Sequence, residues 1–132
     1  MIKIISIGKI KERFYREAME EYKKRIEKFV KIEIKEVENI RIDENAFKIF
    51  LDEKGEEMNS ISFAKFLKEA MLKHKNIHFY IGSYKGFGNE KNRAEFILSL
   101  SKMTFPYQLC RIILLEQIYR AITIIRNMPY HK

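Results

Sequence analysis

The stretch 76-NIHFYIGSYKGFG-88 decides the fold. Ile77 to Ile81 form a short run of apolar and aromatic residues, the composition of a strand, and the run breaks at Gly82 into a loop with glycines at 82, 86 and 88. Glycines after a strand let a backbone approach a ligand closely, and a tight strand-to-helix turn needs them just as much. The spacing fits neither the dinucleotide fingerprint G-x-G-x-x-G nor a phosphate loop closed by G-K-[ST], so the loop by itself names no ligand.

Outward from this strand, helices and strands alternate. Towards the N-terminus, Asn59 or Ser60 caps a helix with Phe63, Phe66, Leu67, Ala70 and Met71 turned inward. Before it, "FKIFLDEKG" predicts a strand ending at Asp52 with a turn at Gly55, and "KIEIKEV" (31–37) alternates apolar and charged residues as an edge strand with one wet face does. From Glu12 to Phe29 a helix is expected, its buried stripe made of Phe14, Ala18, Tyr22, Ile26 and Phe29, and "IKIISIGKI" supplies the first strand, stopped by Gly8. Towards the C-terminus, the pattern predicts a polar helix from about Glu90 to Ser99 and a short strand at "KMTF". Pro106 then falls in the first turn of a last helix running to about Arg126.

The class is therefore α/β, a mostly parallel sheet flanked by helices in one domain, residues 1–132. Ligands in such sheets bind beyond the carboxyl ends of strands, which singles out Leu51-Asp52, Ile81-Gly82 and Met103 to Phe105. The last helix is apolar nearly all round (Leu109, Ile112, Ile113, Leu115, Ile118, Ala121, Ile122, Ile125). Burial against a second copy would cover it, so a homodimer is expected; full enclosure within a monomer is the alternative.

The net charge of +8 and pI near 9.5 point to an anionic partner such as nucleic acid, a solvated basic surface being the plain alternative. Cys110 is the lone cysteine, set among apolar neighbours as a small hydrophobe; with no disulfide, secretory segment or membrane span in view, a cytoplasmic location is expected. His74, His78 and His131 lack ligand spacing, so no metal is expected, and nothing selects a base for Ser6, Ser83 or Ser101. Glu116 and Arg120 stand four apart in the favourable order for a helical ion pair.

The segment Leu98 to Lys132, "LSLSKMTFPYQLCRIILLEQIYRAITIIRNMPYHK", resembles the C-terminal signature of the ribosomal RNA large subunit methyltransferase H family. "ISIGKIKERFYREAMEEYKKR", "LDEKGEEMNSISFAKFL" and "IGSYKGFG" resemble its start, middle and glycine loop. The resemblance implies a SPOUT-type fold with a C-terminal trefoil knot and a homodimer that binds S-adenosylmethionine. It also implies methylation of N3 of a pseudouridine in 23S rRNA of the assembled ribosome. On that resemblance Leu51, Gly82 and the run Leu100, Ser101, Lys102, Met103, Thr104 and Phe105 bind the cofactor, while Arg120, Tyr130 and His131 lie near the target base, His131 as its base. This sequence departs from the family at Ser83, where a glycine is usual, at Tyr107, where a histidine is usual, and in a segment shorter by roughly a helix between "VENIRI" and "FKIFLD". A non-catalytic RNA- or ribosome-binding module that keeps the knot, or a related methyltransferase acting on another RNA, are the competing readings.

Overall fold

The computed structural model describes residues 1–83, 87 and 92–132. Five strands, β1 (Ile2–Ile7), β2 (Ile32–Val37), β3 (Phe47–Glu57), β4 (Ile77–Ile81) and β5 (Phe96–Ser99), form one sheet in the order β2-β1-β4-β3-β5, every neighbouring pair parallel. Three helices, α1 (Arg13–Glu27), α2 (Ser60–Lys73) and α3 (Tyr107–Ile125), bury their apolar sides with one face of that sheet. α3 lies between α1 and α2, packing on both. The alternation of strand side chains sends Ile2, Ile4, Ile49, Leu51, Phe79 and Ile81 into this core, where they meet Ile26, Phe63, Leu67, Leu114 and Ile118.

The elements follow the sequence patterns with instructive differences. α1 buries Met19 and Ile26 with Tyr15 and Tyr22 packed beside them, whereas Phe14, expected in the stripe, is 63% exposed and Ala18 only half-buried. Tyr22, Ile26 and Phe29 join the core as expected; only the first half of the stripe differs, where Tyr15 and Met19 take the places expected for Phe14 and Ala18. α2 is capped by Asn59, whose side chain accepts the Ser62 N–H at 2.8 Å. β5 corrects the expectation of a polar helix over Glu90 to Ser99: Phe96–Ser99 is a strand, and residues 88–91 lie outside the described ones. Phe96 and Leu98 alternate into the core, and edge pairing to β3 overrides weak local helix preference. "KMTF" is loop rather than strand: the Met103 N–H turns to Ser101 Oγ and the Thr104 hydroxyl to Glu53. Pro106 sits at the cap of α3, one position before the first turn.

β3 does not end at Asp52. Its pairing with β5 shifts register between Leu51 and Glu56, so residues 52–55 bulge out and the strand resumes to Glu57. Gly55 permits the close return: a Cβ there would stand 2.6 Å from the Ile97 carbonyl oxygen.

Among the described residues, no α-helix covers the second sheet face. Ile5, Phe50 and Tyr80 form a small cluster covered by Ile40 and Ile42 of the connector 38–46, together with Phe87 and Ala94. A chain of that length reaches roughly 30 Å when extended, enough to return across the sheet without a helix. The register also aligns Glu33, Lys3, His78 and Lys48 on four adjacent strands of this face. Lys48, almost fully buried, is held by Glu95 at 3.0 Å, Glu44 at 3.8 Å and the Ala46 carbonyl at 3.2 Å. His78 is buried between the lysines with Nδ1 3.3 Å from the Tyr80 hydroxyl, which accepts the Asp43 N–H. Burial, and then the Lys3 charge, push its pKa below the ordinary 6.5 against the weaker pull of Asp43 and Glu33.

A depressed base takes up its proton in the unfolded chain first. His78 thus contributes stability above about pH 6.5 that is lost as the pH falls through the ordinary value towards the folded one. The loss amounts to about 1.4 kcal/mol for each unit of depression. Urea unfolding at pH 7 and pH 5 is expected to show a smaller acid loss in His78→Gln than in the unaltered chain; identical losses would place the acid sensitivity elsewhere.

Candidate active site

The middle of β3 at its bulge, the end of β4 and the loop after β5 open into a cleft of about 610 Å³, within the range of small-molecule sites. Apolar walls come from Leu51, Ile81, Phe87, Leu100, Met103 and Phe105, and polar groups from Asp52, Glu53, Ser83, Ser101 and Thr104. The β3 bulge builds one wall. Its Glu53 carboxylate accepts the Thr104 hydroxyl at 2.8 Å, and the Ser99 hydroxyl lies 3.1 Å from the Glu53 carbonyl and 2.9 Å from that of Ser101. With the Met103 N–H on Ser101 Oγ at 3.0 Å, the loop 100–106 is fastened to the bulge rather than free. Tyr107 and Cys110, from the first turn of α3, close the cleft.

The second constellation lies at the other end of α3. Asn127, in the left-handed region at φ 55°, ends the helix: the Met128 N–H returns to the Thr123 carbonyl at 2.8 Å and the Asn127 N–H to that of Ile124 at 3.2 Å. This turn folds residues 128–132 back on the helix. Arg120 Nε donates to both Glu116 oxygens at 3.0 and 3.1 Å, and its guanidinium sits 4.9 Å from the Tyr130 ring centroid and 3.0 Å from His131 Nδ1. The Tyr130 hydroxyl donates to Glu116 at 3.4 Å, and its ring packs edge-on to Tyr119. Glu116 raises the Arg120 pKa further, so the guanidinium is permanently charged. Burial, with Tyr22 and Glu116 nearby, pushes the Tyr130 phenol up to about 12, so it remains a protonated donor near neutrality. An arginine can only donate, so His131 Nδ1 accepts and, in the neutral ring, Nε2 carries the proton.

The model of the family described as "Predicted SPOUT methyltransferase" matches residues 1–131. The chain belongs to the SPOUT methyltransferase family. Relatives named "Ribosomal RNA large subunit methyltransferase H" place it within that branch. The one from Caldicellulosiruptor bescii is 45% identical over 154 positions covering all of both chains. Those from Clostridium botulinum and Clostridium perfringens are 41% and 38% identical over 157 positions, covering 99% of each chain. Alignments longer than the 132 residues of this chain mean that the relatives carry roughly a helix's worth of positions it lacks.

In this SPOUT methyltransferase, the residues expected at the cofactor fall together with one exception. Leu51, Gly82, Leu100, Ser101, Met103, Thr104 and Phe105 all line the cleft, whereas the Lys102 side chain is 88% exposed and turns to Glu57 at 4.0 Å. Arg120, Tyr130 and His131 also come together, but they do not line the cleft. Glu53, Tyr107 and Glu116 are additions. The Glu116–Arg120 spacing signalled one of them, while the turn expected at Gly55 marks where β3 departs from regular pairing but does not reveal that it brings Glu53 to Thr104. Among the described residues, no group of three or more His, Cys, Asp or Glu side chains is placed to hold a metal ion, and no helix is long and apolar enough to cross a membrane.

Proposed function

We propose that this chain, as one domain with the trefoil knot of its family, is a cytoplasmic, homodimeric, S-adenosylmethionine-dependent enzyme that methylates N3 of a pseudouridine in 23S rRNA of the assembled ribosome. The observation that carries this reading is the cleft, into which every residue expected at the cofactor except Lys102 converges. Apolar walls suit an adenine ring, the hydroxyls of Ser101 and Thr104 suit a ribose, and the carboxylate of Glu53 suits the cationic groups of the cofactor, its ammonium and sulfonium. When bound, S-adenosylmethionine supplies an electrophilic methyl group.

The second copy follows from distance. Cys110 at the cleft and Arg120 in the tail cluster stand ten residues apart on α3, about 15 Å along its axis. That is too far for one protomer's cluster to reach a methyl group in its own cleft. Two α3 helices packed antiparallel about a two-fold axis bring the tail of each to the cleft of the other and cover the part-exposed Leu109, Ile112, Ile113 and Ile124. The base enters between them. Arg120 then turns from His131 onto a base oxygen, where it offsets the negative charge that builds as N3 loses its proton. His131 Nδ1, released from Arg120, receives that proton while Tyr130 and Glu116 keep the guanidinium in place. Arg25, 5.3 and 5.7 Å from the Tyr22 and Tyr119 rings, and Arg126, 4.9 Å from the Phe29 ring, extend the cluster as a basic and aromatic surface suited to RNA.

Labelled S-adenosylmethionine is expected to transfer its methyl group to assembled ribosomes lacking the modification, at one pseudouridine N3, and not to free rRNA. Label on tRNA or at another rRNA position would establish the related-enzyme reading. Cofactor binding with no transfer to any RNA would establish the non-catalytic module.

A further inference from the structure

Among the described residues, the charge of the cleft lining runs against that of the protein. The chain carries a formal +8, yet among the described residues lining the cleft there is no Lys, Arg or His, and the acidic side chains are Asp52 and Glu53. Cys110, also on the wall, is kept as a neutral thiol because burial pushes its pKa up. Asp52 directs Oδ1 to the backbone N–H of Lys54 at 2.8 Å, within the bulge. Glu53 gives one oxygen to the Thr104 hydroxyl at 2.8 Å and forms no ion pair with a described lysine or arginine. It is a carboxyl side chain on the cleft wall, and the Thr104 contact holds it at the loop that closes the site.

From this we infer that Glu53 is a specificity-determining residue that distinguishes the sulfonium cofactor from its neutral sulfide product. The inference rests on the proposed use of S-adenosylmethionine and adds a role for a residue outside the set expected at the cofactor. Transfer of the methyl group from sulfur to the base nitrogen breaks the S–CH₃ bond and leaves its electron pair on sulfur. The cofactor thereby loses one positive charge while its adenosine and amino-acid parts are unchanged. A carboxylate on the cleft wall attracts the first form more than the second, with a strength that the low dielectric of an occupied cleft increases. The attraction holding the ligand weakens at the moment the product forms, which favours exchange of product for fresh cofactor. Glu53 is exposed in the open cleft, so salt screens part of the effect and the expected discrimination is modest, about fivefold.

The test is calorimetric titration of the full-length protein with S-adenosylmethionine and with S-adenosylhomocysteine, in the unaltered chain and in Glu53→Gln. The glutamine keeps an oxygen for the Thr104 hydroxyl and removes only the charge. Expected is a loss of about fivefold in affinity for S-adenosylmethionine, with affinity for S-adenosylhomocysteine kept within about twofold and the difference shrinking as salt is raised. Glu56→Gln removes the same charge from β3 outside the cleft and should leave both affinities unchanged. Equal losses for the two ligands would make Glu53 a support for the loop or a ribose contact and overturn the inference, as would no change in either. Both outcomes leave the methyltransferase reading standing. If the unaltered protein binds neither ligand at millimolar concentration, that reading falls and the inference with it.

Discussion

Deleting Pro129 to Lys132 is expected to lower methyl transfer by at least about 10²-fold while changing affinity for S-adenosylmethionine by less than about twofold. The tail is a folded part of the molecule: the left-handed Asn127 turn, the Met128 and Asn127 backbone bonds and the Arg120–His131 contact return it to α3. It nevertheless contributes nothing to the described walls of the cleft, which lies at the opposite end of the same helix. Loss of activity with retained binding therefore separates proton and charge handling from cofactor capture. Arg120→Ala should behave alike, since it removes the group expected to offset charge on the base oxygens and leaves Glu116 without its cation. Single-turnover transfer and calorimetry, measured on the same preparations, check both. Parallel losses of binding and turnover would put these residues in the cofactor site, and unaltered turnover would reduce the stretch to a tail.

The second large effect concerns stability and centres on a residue that looks out of place on an apolar helix. Arg111 has no exposed surface, and its guanidinium donates to Glu36 at 3.0 Å and to the Ile7 carbonyl at 2.8 Å, beneath the Tyr107 ring at 5.7 Å. Burial pulls its pKa down and Glu36 pulls it back up, the first effect being the larger. Glu36 also accepts the Ile10 N–H at 2.6 Å and pairs with Arg16 at 3.3 Å, so one carboxylate ties β2, the exit of β1, the start of α1 and the second turn of α3. Glu36→Ala strands a buried cation and is expected to cost about 3–5 kcal/mol in urea unfolding. The double variant Glu36→Ala, Arg111→Met removes both charges and should recover part of that loss. If the single variant costs less than about 1 kcal/mol, water reaches Arg111 and the pair is not a clamp. Because Tyr107 closes the cleft one turn before Arg111, a partly unfolded clamp should also weaken cofactor binding, which distinguishes it from the tail variants.

Arg111 also marks the limit of what pattern could tell. Periodicity located α3 from Pro106 to about Arg126 and its apolar burden, because a stripe at three-to-four spacing is a local property of the chain. Whether a charged residue on that helix faces water or a carboxylate 75 positions away is not local. The Glu116–Arg120 pair was legible for the opposite reason, both partners lying on one turn of one helix. Phe14 illustrates a smaller failure: the helix was expected and exists, but adjacent aromatic residues at 14 and 15 leave the first half of its stripe to be chosen by the sheet beneath. The helix expected over Glu90 to Ser99 failed at Phe96–Ser99 because a four-residue strand is too short to show a period and is held by its pairing to β3.

Sequence alone determined the α/β class, four of the five strands and the three helices among the described residues, one of the three strand ends expected to face a ligand (Ile81-Gly82) and, through motifs spread along the chain, the family. These are carried by short-range patterns of burial and by residue identities. Tertiary structure alone decided that all strand pairs are parallel in the order β2-β1-β4-β3-β5, and that the cleft and the tail cluster stand at opposite ends of α3. It also decided that residues 52–55 bulge to set Glu53 against Thr104. The physical reason is the same in each case: strand order, bulge and fold-back are fixed by hydrogen bonds and packing between residues far apart in the chain, and no local window contains both partners.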